Sequence, residues 1–594
     1  MNFARIGRMS ALVTFALLNM GASVALAADY YAAPTGSSAG NGTIANPWDL
    51  ATALNQTTII QPGDTLWLRG GTYYGTFKSN LQGTASAPVI VRQMSGERAT
   101  LDGGNSGGVC VFTVSGAYTW YWGFEVMSSD PTRVSSQPTS WPTDIPRGEG
   151  VAIDQSTPHP GLKFINMVIH DARQGVSFWK EAQDGELYGN LIYNNGWDAP
   201  DRGHGHGIYS QNETGTMHLR NNIVFRNFSH GMQVYGSSTS YLDNYDVDGD
   251  IWFNNGETSI FGFDRNVLLG GASIANNLSF TNNNFYTCKL KVGYTAPAND
   301  VTLTNNYFPV SVEFDATNAT MSGNTFLASN IDFSSTSYPG NTYLTSAPTG
   351  LRVVVRPNVY EPGRANTVVY NWPKTSVVPV DLSSVLKAGD TFEIRDVQNY
   401  FGSPVLSGTY TGSPVNLAMS TFTAIAQAIG NVKLTVAHTS PEFGAFVVLR
   451  TGQSTTTNQP PVVNAGPNVT ITLPATAQLN GTVTDDGIPG PLTITWAKVS
   501  GPGTVTFSNP AAASTSASFS AAGVYTLSLS GFDGALTTTA NVTVTVNPPA
   551  TVISTVQSSS ITPTGATSSW STSTPTNSQV EYGTTASYMA ARLR

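Results

Sequence analysis

Charge is scarce in this 594-residue chain: Asp, Glu, Lys and Arg make up 11% of it, against about 25% in an average soluble domain. That scarcity excludes a helical bundle or coiled coil, whose exposed faces need Glu and Lys. The 28 Lys and Arg against 37 Asp and Glu leave a net charge of -9 with no basic run, so neither nucleic acid nor an anionic membrane surface is an expected partner. Two cysteines, Cys110 and Cys288, cannot form a disulfide framework and exclude a multi-cysteine zinc site. Both sit in apolar runs and read as core thiols. Past the N-terminal segment no apolar run is long enough to span a bilayer. What is present is 58 Gly, 34 Pro, 24 Tyr and 26 Phe among stretches of Thr, Ser, Asn and Val, the texture of short strands punctuated by turns.

Residues 1–27 read as an export signal. Arg5 and Arg8 precede an apolar segment that closes on Ala25-Leu26-Ala27, a small-x-small cleavage site, so the mature chain is expected to start at Ala28. A secreted, extracellular or cell-surface protein follows, and a monomer is expected.

The centre of the chain is repetitive. Gly150-Val-Ala-Ile-Asp154 is echoed at Gly175, Gly207 and Gly231, 24 to 32 residues apart. A second echo, led by Asn, runs in phase through Asn166, Asn190, Asn222, Asn277, Asn306 and Asn324. A unit of this size cannot bury its own apolar face, but stacked coils can, with Asn amides laddering between them. Apolar residues alternate with period two, which predicts an all-β, parallel solenoid.

The opening Asp29-Tyr-Tyr-Ala-Ala-Pro-Thr-Gly36, then Asn46-Pro-Trp48, then Pro62-Gly-Asp-Thr-Leu-Trp-Leu-Arg-Gly-Gly-Thr-Tyr73 resemble the first coils of the right-handed parallel β-helix proteins of the pectate-lyase-like superfamily. The resemblance covers roughly residues 29–345 and implies a β-helix over 28–345, with Asp49–Asn55 as the helix that caps its open first coil. The superfamily holds lyases, glycoside hydrolases, epimerases and non-catalytic adhesins, so the fold alone does not set the activity. An antiparallel β module is expected over 346–450, followed by a Thr/Asn/Gln/Pro linker, 451–461. Residues 462–547, with Asp485-Asp-Gly487, Trp496 and Phe532-Asp-Gly534, resemble an Ig-like sandwich of the PKD type. Residues 551–594 resemble the first strands of a fibronectin type III module.

In a β-helix the inward side chains form the core, so chemistry belongs on an outward face. Aligning the Gly-led strands turns Asp154, Ser177, Trp179, Tyr209, Gln211, Gln233 and Tyr235 outward. The residues just before the glycines are Glu149, Gln174, His206 and His230. Over four coils at about 4.8 Å each this face is about 15 to 20 Å long, the span of a few sugar rings. Catalysis is expected from His206, His230, His204, Arg173 and Lys180, since imidazoles titrate where proton transfer is useful and cations neutralise a uronate carboxylate. Substrate contacts are expected from Trp179, Trp197, Tyr209, Gln211, Tyr235 and Arg202. The Gly-His-Gly tripeptide within residues 203–207 is similar to an element of polygalacturonases, but the paired aspartates that go with it are missing.

Asp243, Asp246 and Asp248 place oxygen ligands at close spacing and could hold Ca²⁺, although no Glu closes an EF-hand loop; no other cofactor is required. Trp120 and Trp122 alternate with Tyr121 and read as core or coil-edge residues. Hydrolysis needs a pair of carboxylates, and Asp154, Glu181, Asp184, Asp198 and Asp201 show no paired spacing. The sequence therefore favours a lyase cleaving an extracellular, uronate-containing polysaccharide. A glycoside hydrolase on the same fold and a non-catalytic carbohydrate-binding or adhesive protein remain as alternatives.

Overall fold

The computed structural model describes residues 27–262, 265–453, 459–486 and 492–573; residues 1–26 of the expected export signal lie outside them. The chain divides into two compact units, Met1–Ser454 and Thr455–Arg594.

The first unit is dominated by three long parallel sheets. Among the described residues the first has eleven strands, from Asp29–Ala32 to Ala316–Ser322. The second has nine, from Phe77–Ser79 to Val312–Phe314. The third has eleven, from Gly71–Tyr74 to Thr342–Leu344. Each coil contributes one strand to each sheet, so a strand pairs with its counterpart one coil later. On the second sheet this register stacks Val151, Val176, Ile208, Met232 and Val267 in one inward row, every member of it fully buried. A short helix, Leu50–Ala53, starts where the Asp49 side chain accepts from Thr52 N at 2.8 Å.

The glycines that lead these strands are fixed by close approach. A Cβ on Gly150, Gly175, Gly207 or Gly231 would lie 2.4 to 2.7 Å from the carbonyl oxygen of the facing residue in the next coil. The Asn echo is also structural. Asn190, Asn222, Asp250, Asn283, Asn306, Asn324 and Asn341 form a ladder in which each backbone N–H donates to the side-chain oxygen of the next rung. Asn277 is not a rung: it lies one residue into the strand Asn276–Thr281, and its amide donates to Asn244. Asn166 is not a rung either; it takes a left-handed conformation at φ 53°, and its neighbour Met167 donates to Asn190. The expected rungs at those two places fail because the ladder residue is the one immediately before the third-sheet strand.

The outer face of the third sheet is apolar and is covered. Val168, Leu191, Ile223, Phe225 and Phe253 pack against Val368, Tyr370, Phe443, Ala445 and Val447 of an antiparallel five-stranded sheet built from Leu351–Pro357, Arg364–Asn371, Phe443–Gly452, Thr391–Asp396 and Leu406–Thr409. At this seam His170 lies between Glu125 and Asp171, each at 2.7 Å, and Asp171 also takes Arg133 and the Ile429 N–H. Against the cost of burial, hydrogen bonds to Asp171 and Glu125 hold the His170 imidazole up at about 9.

Two expectations about packing need correction. Trp120 and Trp122 are not core; Tyr121 between them points in and is fully buried, while both indoles face out, edge-on to Tyr360. Cys288 is buried, but Cys110 is only half-buried. It lies beside Glu149, and burial with that charge pushes its thiol up to about 12.

The second unit contains a β-sandwich. One sheet orders Val469–Thr472, Thr537–Asn547, Gly523–Phe532 and Thr493–Ser500; the other orders Ala477–Asn480, Ser514–Phe519 and Val505–Phe507. Trp496, Tyr525, Leu527, Leu529 and Val544 fill its core. Beyond it Ile553–Thr562 pairs with Gly565–Thr572 as a hairpin. The remainder of the expected fibronectin-like segment, 574–594, lies outside the described residues.

Candidate active site

With the third sheet covered, the outer face of the second sheet carries a cleft of about 410 Å³. Strand register sets its two walls. Glu149, Gln174, His206, His230 and Arg265 each precede an inward row residue, so they line up coil upon coil along one edge. Trp179, Tyr209, Tyr235 and Tyr294 form the opposite wall. The Trp179 and Tyr209 rings are 5.4 Å apart and those of Tyr235 and Tyr294 5.8 Å apart.

The loop 194–206 closes the imidazole side. It is braced by a two-stranded antiparallel pair, Trp197–Asp198 with Gly203–His204. His204 stacks on Trp197 at 5.1 Å and meets Asp201 at 3.0 Å. His206 and His230 approach through their Nδ1 atoms at 3.4 Å, and the His230 Nδ1 also meets Ser229 Oγ at 3.2 Å. Burial, then the nearby Arg202 and His204 charges, push His206 down to about 3; burial with His206 and Arg265 pushes His230 well below the usual range. Both rings are therefore neutral at neutral pH.

Arg173 sits at the other end, its guanidinium 4.7 Å from the Trp141 ring and donating to Gly108 O at 3.2 Å. Glu149, buried beside it, is the one carboxyl group among the described lining residues, and burial lifts it above the usual carboxylate range. Burial likewise raises the Tyr209 phenol, whose hydroxyl donates to Tyr235 O at 3.0 Å.

The structure thus brings together His204, His206, His230, Arg173, Trp179, Trp197, Tyr209, Tyr235 and Arg202. Lys180 is not among them: it follows Trp179 and is held by Glu213 at 2.7 Å. Gln211 is also outside, its amide donating to Tyr235 O. Trp197 lines the cleft only from beneath, 3% exposed and packed on Ile145 and Ala199. The aspartates Asp243, Asp246 and Asp248 lie on or beside the first-sheet strand Tyr245–Asp248. Asp246 takes Arg220 and His218, Asp248 takes Arg356, and Asp243 accepts from Asn276. No group of three potential ligands among His, Cys, Asp and Glu converges among the described residues; Asp246 is taken by cations of the preceding coil and Asp248 by Arg356 of the antiparallel sheet. Trp141, Arg265 and Tyr294 were not assigned roles from sequence; Arg265 could have been found by carrying the column before the glycines one coil further.

The right-handed β-helix region family matches residues 150–251, and a PKD domain family matches residues 465–546. The first unit has the fold of a right-handed parallel β-helix, and the sandwich of the second unit matches a PKD domain. A segment of 83 residues, 13% of the chain, is 46% identical to pectate lyase PEL9 of Emericella nidulans and spans 19% of that protein's length. Among solved structures the pectate lyase Pel9A is 18% identical, with a TM-score of 0.35 over 54% of this chain and 83% of its own. A rhamnogalacturonan lyase is 15% identical, with a TM-score of 0.35 over 50% of this chain and 74% of its own. Among the described residues no helix is long and apolar enough to cross a membrane.

Proposed function

We propose that the protein is a secreted polysaccharide lyase that cleaves a uronate-containing polysaccharide by β-elimination in the second-sheet cleft. The observation that carries this reading is the division of the cleft into an aromatic wall and a wall of arginines and imidazoles, with Glu149 its one described carboxyl group. Sugar rings present C–H faces that suit the aromatic side, and their carboxylates suit the guanidinium groups. A two-carboxylate hydrolytic site lacks its second member.

In this reading Arg173, Arg202 or Arg265 holds the substrate carboxylate and acidifies the adjacent C5–H. His206, neutral when the cleft is empty, takes that proton. An entering carboxylate adds the negative charge that raises the basicity of the imidazole. His230 is a positioning residue, fixing the His206 ring through the Nδ1 contact. Tyr209, a protonated phenol, gives up its bond to Tyr235 O and donates to the leaving oxygen as the C4–O bond breaks and the C4–C5 double bond forms. Transfer of a proton from His206 to Tyr209 then resets the site.

The test is a panel of polygalacturonate, rhamnogalacturonan and alginate, read for the ultraviolet absorbance of unsaturated uronate and for reducing ends. Both signals rising together supports elimination. Reducing ends without absorbance would overturn it in favour of hydrolysis, and retention on a polysaccharide without either signal would overturn it in favour of a binding protein.

A further inference from the structure

The cleft does not end at His230. Tyr294 lines it and lies beside the strand Lys289–Val292, one coil beyond the strand of Arg265. The Tyr294 ring is 5.8 Å from that of Tyr235 and 5.9 Å from the Arg265 guanidinium. The Lys291 ammonium is 5.6 Å from the same ring. Register puts Lys291 directly after Leu268 in the outward row that also holds Tyr209 and Gln233, and puts Lys289 opposite Arg265. Lys289 and Lys291 share the Glu313 carboxylate, at 2.5 and 2.8 Å. Against the cost of burial, those two bonds hold Glu313 down at about 2. The opposite end of the cleft has a different character: Arg173 faces Glu149 beneath Trp141, and the next cation, Lys78, is paired with Asp154.

We propose that Tyr294, Lys291 and Lys289 form an extended anionic-sugar subsite, two coils past His230, so that the protein binds runs of consecutive uronate residues and seats them toward its C-terminal coils. The claim rests on the proposed function for the identity of the cleft and adds the length and polarity of the bound chain. Two coils correspond to about 10 Å. A short uronate oligomer centred on His206 and His230 falls short of Lys291, whereas a longer one places an acidic residue over Tyr294. A carboxylate arriving there takes over one of the two ammonium groups that share Glu313, and the Tyr294 face takes the sugar ring.

The experiment is equilibrium binding by calorimetry of galacturonate dimer, trimer and hexamer at low ionic strength. It compares the wild-type chain, Lys289→Gln/Lys291→Gln, and the triple variant that adds Glu313→Gln so that no lone carboxylate remains. The expected result is a wild-type affinity that climbs from trimer to hexamer. Both variants lose that increment, about tenfold, and bind the trimer as the wild type does. Hexamer affinity unchanged in both variants, with binding still lost in Arg173→Gln, would overturn the extended subsite and leave the cleft reading intact. Absence of binding at every length, for galacturonate and for mannuronate and guluronate oligomers alike, would overturn both.

Discussion

Asp250 is the one acid in the described Asn ladder, and replacing it with Asn should make the protein more stable. The side chain is fully buried. Its Oδ1 accepts from Asn222 N at 2.6 Å and from Asn222 Nδ2 at 3.1 Å, while its Oδ2 has no hydrogen-bond partner. The neighbouring rungs show what an amide would do there. Asn222 Nδ2 donates to Leu187 O and Asn283 Nδ2 donates to Val247 O, and each also donates to the next rung. By register an amide at 250 would meet Leu219 O and Asn283 Oδ1. Where the acid is neutral in both states its one hydroxyl hydrogen can serve only one of these acceptors, so the amide adds one hydrogen bond, about 0.5 to 1.5 kcal/mol. Burial also holds the Asp250 carboxyl well above its usual range. Stability associated with a raised acid is fully present below the unfolded-state value, near 3.9, and is lost as pH rises toward the folded-state value. The advantage of Asp250→Asn therefore widens by up to about 1.4 kcal/mol for each pH unit above about 4, until the folded-state group ionises. Scanning calorimetry of both proteins from pH 4 to pH 8 measures this. A variant no more stable than wild type, or an advantage that does not grow with pH, would refute the protonated-rung account.

Removing the His206 imidazole, His206→Ala, should lower kcat by about 10² to 10⁴ on whichever polysaccharide is cleaved, whereas Lys180→Ala, on a residue tied to Glu213 outside the cleft, should leave it near wild type; steady-state kinetics on both variants decides. His170 sits at about 9 in the fold, above its unfolded value near 6.5, so its contribution is present below pH 6.5 and fades as pH rises through 9; a parallel titration in the Asp250→Asn background isolates it, and a flat profile there would count against the Glu125–His170–Asp171 network. Gly207→Ala should destabilise by about 1 to 3 kcal/mol, because its Cβ would lie 2.5 Å from Gly231 O; an unchanged unfolding temperature would show that the coil spacing yields more than the close approach allows.

The coil register was readable because it is written in strands. The Gly-led echoes at 150, 175, 207 and 231 share one inward pattern, and the observed pairing Val151, Val176, Ile208, Met232 follows it. Everything depending on that register, including the column of His206 and His230, was therefore visible before the fold. What was hidden depends on loops of unequal length. Lys180 meets Glu213, 33 residues on, only after an excursion through the 194–206 loop, and Trp141 reaches Arg173 from the long segment before strand Val151–Ile153. The Asp243–Asp250 run looked like a cation loop because its spacing alternates; the same alternation places Asp246 and Asp248 on a sheet face where Arg220 and Arg356 reach them. Asn277 misled for a related reason, since an Asn one turn early serves a left-handed corner at φ 55° as readily as an Asn in the ladder serves a rung.

The central claim is elimination in the second-sheet cleft, and mass spectrometry of the products formed from a polyuronate tests it most directly. Elimination leaves one new chain end short of a water molecule, so the account predicts oligomers with an unsaturated terminal residue, formed by the wild-type chain and lost in His206→Ala. Oligomers carrying the full added water at each cut would contradict it.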